Sequence, residues 1–257
     1  MKPKVLILRA PGTNCDVETA FAFTVAGADC DCVHINRLLE KPDLLGGYQV
    51  LCLPGGFSFG DDIAAGRIMA TRFRNHLLEP ITNFKEDGKL ILGICNGFQI
   101  LIKSGILLAD TPGGSPATLA WNVSGMYTDR WVKLSPKSDR CVFLRGIDEM
   151  FLPIAHAEGR FVGRDNATLD TLEANGQLVL RYIDGTNPNG AERDVAGVCD
   201  STGRVFGLMP HPERFIVPTQ HPHWTRYACD EQVKRNWRNR EVGDGLAIFR
   251  NAVSFFA

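Results

Sequence analysis

The segment Leu90-Ile91-Leu92-Gly93-Ile94-Cys95-Asn96-Gly97-Phe98-Gln99 sets the architecture of this chain. Leu90 to Ile94 has no polar alternation, the pattern of a strand buried on both faces. Phe98 to Lys103 continues as a helix. Between them, Gly93-Ile94-Cys95-Asn96-Gly97 has the form of a nucleophile elbow with cysteine in place of serine. A sharp strand-to-helix turn carries the reactive side chain clear of the sheet, and glycines on either side permit close backbone approach. The helix N-terminus adds positive potential and unpaired N–H groups, which lower a thiol pKa and hold an oxyanion. The plainer alternative is a small buried cysteine at a sheet edge. Flanking glycines in a strand–turn–helix setting favour the nucleophile.

Working outward, Val5 to Leu8, Cys30 to Ile35 and Val50 to Leu53 are further strand candidates separated by helical patterns. Asn14 is placed to cap a helix in which Val17, Phe21 and Val25 recur every four residues. Met69, Phe73, Leu77, Ile81 and Phe84 mark a long helix that Pro80 kinks or breaks. Apolar strands alternating with helices predict a doubly wound, mostly parallel α/β sheet with helices on both faces. From Thr118 to about Leu208 the segments are short and β-rich, among them Leu178 to Ile183 and Val195 to Val198. Cys199 to Arg204 reads as a hairpin connection, so an antiparallel β extension is expected. Leu246, Phe249, Val253 and Phe256 suit a closing amphipathic helix. No internal repeat or Ser/Pro-rich linker divides the chain, and residues 1–257 are expected to form a single domain.

With 257 residues, 44% of them hydrophobic, and 28 basic against 29 acidic side chains, the chain is no disordered polyelectrolyte. It lacks the basic excess of a protein that coats nucleic acid. Its most apolar stretch, Leu90 to Ala109, is interrupted by Asn96, Gln99, Lys103 and Ser104, which argues against a membrane span. The apolar run after Met1 is too short for a signal peptide. Eight irregularly spaced cysteines with no Cys-x-x-Cys pair read as free thiols in a reducing cytoplasm.

A cysteine nucleophile for acyl transfer needs a base, and the base needs an orienting group. Among six histidines, His34 and His76 fall where structural or solvated roles are expected. His211 lies in Met209-Pro210-His211-Pro212-Glu213-Arg214, where Pro212 favours an extended His211 and places Glu213 on the same face. The glycine turn in Leu53-Pro54-Gly55-Gly56-Phe57-Ser58-Phe59-Gly60-Asp61-Asp62 ends a neighbouring strand candidate, so its N–H groups can point at a developing oxyanion. It lacks the spacings of a phosphate loop.

Together, Pro54-Gly55-Gly56, Gly93-x-Cys95-x-Gly97-x-Gln99 and His211-Pro212-Glu213 resemble the class I glutamine amidotransferases. More narrowly, the chain is similar to the glutaminase subunits of phosphoribosylformylglycinamidine synthase. That similarity rests on Arg9 to Asp16, Gly55 to Asp62, Pro153 to Phe161, Asn187 to Gly190 and Gly207 to Arg214. The resemblance implies Cys95 as nucleophile, His211 as acid/base and Glu213 as its orienting partner. It implies an oxyanion hole from N–H groups near Gly55, Gly56 and Asn96, with Gln99 lining the glutamine pocket. His156 and Glu158 are second-tier site residues. It further implies glutamine as substrate, no metal and no cofactor. A separate ATP-binding synthetase subunit would receive the ammonia, and a small bridging subunit would accompany it.

Two features depart from relatives. Ala157 stands where they often have glycine, and residues 217–242 form an insertion carrying Trp224, Tyr227, Trp237 and five basic residues. That insertion is either a solvated loop packed by its aromatics or a partner-docking surface. His221-Pro222-His223 with Cys229 matches no common zinc spacing. Other readings are another amidotransferase of the same class, a different cysteine hydrolase or chaperone-like protein on this fold, and a catalytically silent regulatory subunit.

Overall fold

The computed structural model describes residues 2–229 and 241–257. The chain begins β1 (Lys4–Arg9), α1 (Asp16–Val25), β2 (Asp29–His34), α2 (Ile35–Glu40), β3 (Val50–Leu53). Next come α3 (Arg67–Arg72), one π-helical turn (Phe73–Leu77), α4 (Leu78–Glu86), β4 (Leu90–Ile94) and α5 (Asn96–Ser104). The second half runs β5 (Ala117–Ala120), β6 (Thr128–Pro136), β7 (Met150–His156), β8 (Arg160–Gly163), α6 (Asn166–Ala174), β9 (Leu180–Tyr182), β10 (Val195–Cys199) and β11 (Val205–Leu208). Two helices close the described chain, α7 (Trp224–Cys229) and α8 (Leu246–Ser254).

Nine strands form one sheet in the order β2-β1-β3-β4-β11-β10-β9-β6-β7. Neighbours from β2 to β11 are parallel, and those from β11 to β7 are antiparallel. β5 and β8 make a separate antiparallel pair. The α/β block and the antiparallel extension thus meet at β11, which pairs with β4 on one side and β10 on the other. Cys199 to Arg204 forms the expected connection between β10 and β11.

Register places the site. Leu53 lies opposite Gly93, and Ile94 opposite Leu208. The carboxyl ends of β3, β4 and β11 therefore stop together, and the residues that follow them (Gly55, Cys95 and His211) share one sheet edge. All three strands are buried at every position, as parallel strands covered on both faces must be. Phe98 of α5 fills the space over Gly207, where a Cβ would come within 2.2 Å of the ring.

Several local expectations change. α1 turns Val17, Phe21 and Val25 outward, at 72%, 50% and 43% exposure, and buries Thr19, Ala22 and Phe23 instead. The buried Thr19 hydroxyl donates to the Cys15 carbonyl at 2.5 Å, so its polarity is satisfied within the helix. Phe23 meets Phe249 of α8 edge-to-face at 4.8 Å. Asn14 does not cap the helix; the N-cap position belongs to Cys15, whose thiol donates to Asn14 Oδ1 at 3.2 Å. Pro80 sits in the first turn of α4, and the irregularity falls just before it. Its ring and missing N–H cannot continue the ladder to residue 76, and Phe73–Leu77 opens into a π turn. Within the β-rich half lies a helix, α6, capped by Asp165 Oδ1 accepting from the Thr168 N–H at 2.7 Å.

Of the expected insertion 217–242, residues 230–240 lie outside the described residues, including Lys234, Arg235, Trp237, Arg238 and Arg240. In the described part, His221 is buried against Trp131, Phe151, Phe215 and Tyr227.

Candidate active site

Cys95 takes φ +50° and ψ −104° between β4 and α5. A non-glycine residue there carries strain of about 1–3 kcal/mol, which the surroundings must enforce. Its N–H donates to the Leu208 carbonyl at 2.8 Å, and α5 begins at the next residue. Gly97 lets the helix start against β3: a Cβ there would lie 1.9 Å from the Leu53 carbonyl oxygen. Cys95 is 5% exposed, and its thiol makes a long contact of 3.8 Å to the Ala155 carbonyl.

His211 lies just past β11, its N–H donating to the Pro153 carbonyl of β7 at 2.8 Å. Its Nδ1 is 2.6 Å from Glu213 Oε1, and both side chains are buried. The two meet through a 3₁₀ turn rather than an extended segment, because Pro212 opens a helical turn at Pro212–Arg214. Burial alone would lower the His211 pKa. The Glu213 carboxylate, and negative charge at the Cys95 sulfur, outweigh it and hold the imidazole well above its ordinary value. With Nδ1 engaged by Glu213, Nε2 remains for the thiol.

The Gly55–Gly56 turn packs directly over this ring. A Cβ on Gly55 would lie 2.8 Å from His211 Cε1 and 3.1 Å from Cys15 Sγ. A bridge to Thr13 holds the turn through Asn14 N–H to the Gly55 carbonyl (3.4 Å) and Phe57 N–H to the Gly12 carbonyl (2.9 Å). The Gly56 N–H takes no part in that bridge. The Asn96 N–H is the first of α5 and has no intrahelical acceptor.

A cavity of about 270 Å³ opens beside Cys95, lined by Gly56, Asp61, Gln99, His156, Glu158 and Trp121 among others. Asn96 organises its floor: its Oδ1 accepts from the Ser58 N–H (3.2 Å), and its Nδ2 donates to Asp61 Oδ1 (3.2 Å) and Gln99 Oε1 (2.9 Å). Gln99 Nε2 donates in turn to the Glu158 carbonyl at 2.5 Å. Glu158 accepts from the Ala65 N–H at 3.2 Å and pairs with Lys103 at 3.5 Å. His156 Nδ1 is 3.1 Å from Asn122 Oδ1, and burial lowers its pKa to about 4. Gly56, Cys95, Gln99, His156 and Glu158 thus line one cavity, with Gly55, Asn96, His211 and Glu213 adjoining it.

Asp61, Lys103 and the part played by Cys15 are not among the site residues expected from the sequence. The Cys15 sulfur accepts from Arg214 Nη2 at 3.2 Å and also contacts the His211 ring. Among the described residues, Cys15, His211 and Glu213 are the group whose donor atoms cluster tightly enough for a metal. They do not fit one. Glu213 Oε1 already engages the imidazole Nδ1, and the Arg214 guanidinium rests on the Cys15 sulfur. The signal for Cys15 lay in its motif, but nothing local joins residue 15 to residue 214.

Residues 2–256 match the CobB/CobQ-like glutamine amidotransferase domain. The phosphoribosylformylglycinamidine synthase subunit PurQ of Dehalococcoides mccartyi is 45% identical over 99% of this chain and 98% of its own. A PurQ subunit of Methanococcus maripaludis is 41% identical over 99% and 97%. The chain belongs to the PurQ family. Among solved structures, one described as PurLQS from Thermotoga maritima superposes with a TM-score of 0.73 at 32% identity, covering 100% of both chains. The Cys95 elbow and the His211–Glu213 pair therefore sit in a chain of this family, within a match that spans both halves of the sheet.

Proposed function

We propose that this chain is the glutaminase subunit of phosphoribosylformylglycinamidine synthase, releasing ammonia from glutamine for a separate ATP-dependent synthetase subunit in purine biosynthesis. The observation that carries the reading is a strained Cys95 beside a buried His211–Glu213 pair, 2.6 Å apart, at the mouth of a cavity sized for an amino acid. The Cys95 sulfur attacks the carboxamide carbon, and the carbonyl electrons move to an oxyanion held by the Gly56 and Asn96 N–H groups. Each such donor is worth about 2.7–4 kcal/mol of barrier. Protonated by the Cys95 thiol, His211 passes that proton to the amide nitrogen; the C–N bond breaks, and ammonia leaves a γ-glutamyl thioester. Water then gives a proton to His211 and attacks the thioester, and glutamate departs as the thiol is restored.

The chain has no recognisable nucleotide loop, so ATP chemistry falls to the synthetase, with a small bridging subunit between them. Exposed Phe57 and Trp121 line the cavity, and Ile63, Val123 and Met126 are exposed nearby in sequence, a surface suited to a partner that seals the site. We place the protein in the cytoplasm. The seven described cysteines are free thiols, and no described helix is long and apolar enough to cross a membrane. The test is glutamate release with and without the synthetase and bridging subunits. A slow basal rate stimulated by the partners is expected; equal rates would contradict the coupling.

A further inference from the structure

The cavity beside Cys95 is more acidic than carboxamide hydrolysis requires. Asp61 and Glu158 both line it. Glu158 is compensated by Lys103 at 3.5 Å and by the Ala65 N–H. Asp61 has no cation within ion-pair distance among the described residues. Its Oδ1 accepts from the Gly66 N–H and from Asn96 Nδ2, each at 3.2 Å. Its Oδ2 accepts nothing from the described residues, and the half-buried Asp61 is one of the residues that line the cavity. Burial is the main influence raising its pKa, with the Glu158 charge adding to it, so a nearby cation would relieve an unfavourable position.

The backbone holds this carboxylate in place. Phe59, Gly60 and Asp61 have consecutive φ values of +55°, +72° and +52°, a left-handed run that two non-glycine residues adopt against their own preference. Asn96 latches the run at both ends, through Ser58 and Asp61, and Asn96 is the residue after the nucleophile. One short side chain thus sets the separation between the thiol and an uncompensated carboxylate. Glutamine presents its carboxamide at one end and an α-ammonium at the other.

We propose that Asp61 receives the α-ammonium of glutamine, making it the residue that selects α-amino-acid amides over plain primary amides. This rests on the glutaminase reading above. Glu158, already neutralised by Lys103, has no charge to spare for that role.

The test uses the assembled complex with two substrates: glutamine, and glutaramate, which has the same carboxamide chain and carboxylate but no α-ammonium. Wild-type enzyme should favour glutamine in kcat/KM by about 10- to 100-fold, the size expected of one charge-assisted hydrogen bond. Asp61→Asn keeps the shape, and asparagine tolerates left-handed backbone. It should raise KM for glutamine by a similar factor, change kcat little, and lower kcat/KM for glutaramate far less than for glutamine. A variant that loses activity equally on both amides would overturn the proposal in favour of a loop-holding role. Equal wild-type kcat/KM for the two amides would overturn it without any variant. A wild-type complex that turns over neither amide would instead overturn the glutaminase reading, and this inference with it.

Discussion

The His211–Glu213 contact is short and buried, so its charge matters more than its shape. Glu213→Gln preserves the outline but removes the carboxylate that opposes burial of the imidazolium. We expect kcat to fall by about 10²–10⁴-fold. The kcat/KM limb reporting His211 should move to lower pH, because the imidazole proton is held less tightly once the carboxylate is gone. An unchanged limb would show that Glu213 does not set the charge. His156 gives a stability prediction of the opposite kind. Burial takes its folded pKa from 6.5 down to about 4, so the unfolded chain binds the proton first as pH falls. Stability contributed above pH 6.5 is then lost between 6.5 and about 4, by roughly 3 kcal/mol at the limit. Urea unfolding across that range should show the loss, and His156→Asn should flatten it. At this scale Cys95, His211, Glu213 and the two glycines were legible because their signals are local: flanking glycines, a proline, a spacing of two. Asp61 was not, since its role depends on a left-handed loop and on Asn96 reaching it from another element.

Among the elements, the buried parallel strands were read most accurately. β3 and β4 fall where uninterrupted apolar runs end, because a strand covered on both faces admits no polar residue. α1 was harder: a four-residue apolar spacing describes a stripe without saying which way it faces, and here Ala22 and Phe23 win the inward side. α6 hid in a β-rich region because only Leu169 and Leu172 bury, too few to declare a period. The elbow depends on an element contact, the close approach of α5 to β3 at Gly97. Gly97→Ala would force these elements apart and displace Cys95 and the Asn96 N–H together. Overpacking of this kind costs about 1–3 kcal/mol. Denaturant unfolding should report that loss, and glutaminase activity should fall more than stability alone explains. A variant with wild-type activity would show the contact to be dispensable.

Across the whole molecule, one sheet runs from β2 to β7, and β11 belongs to both of its halves. Among the described residues, no seam lets the antiparallel extension part from the parallel block without stripping a partner from β11. We therefore expect urea transitions followed by near-UV and far-UV circular dichroism to coincide; two separated transitions would mean separable domains. The balanced net charge names no partner, and membership of the family rests instead on the match to PurQ subunits over 99% of the chain. We assign Cys95 as the nucleophile toward glutamine, and the proposed reaction rests on that assignment. Its most direct test is mass spectrometry after reaction with the glutamine-like electrophile diazo-oxonorleucine, with partners present and Cys95→Ala as control. A single adduct on Cys95, absent from the variant, is the predicted result. No adduct, or one of equal yield on another residue of the variant, would contradict it.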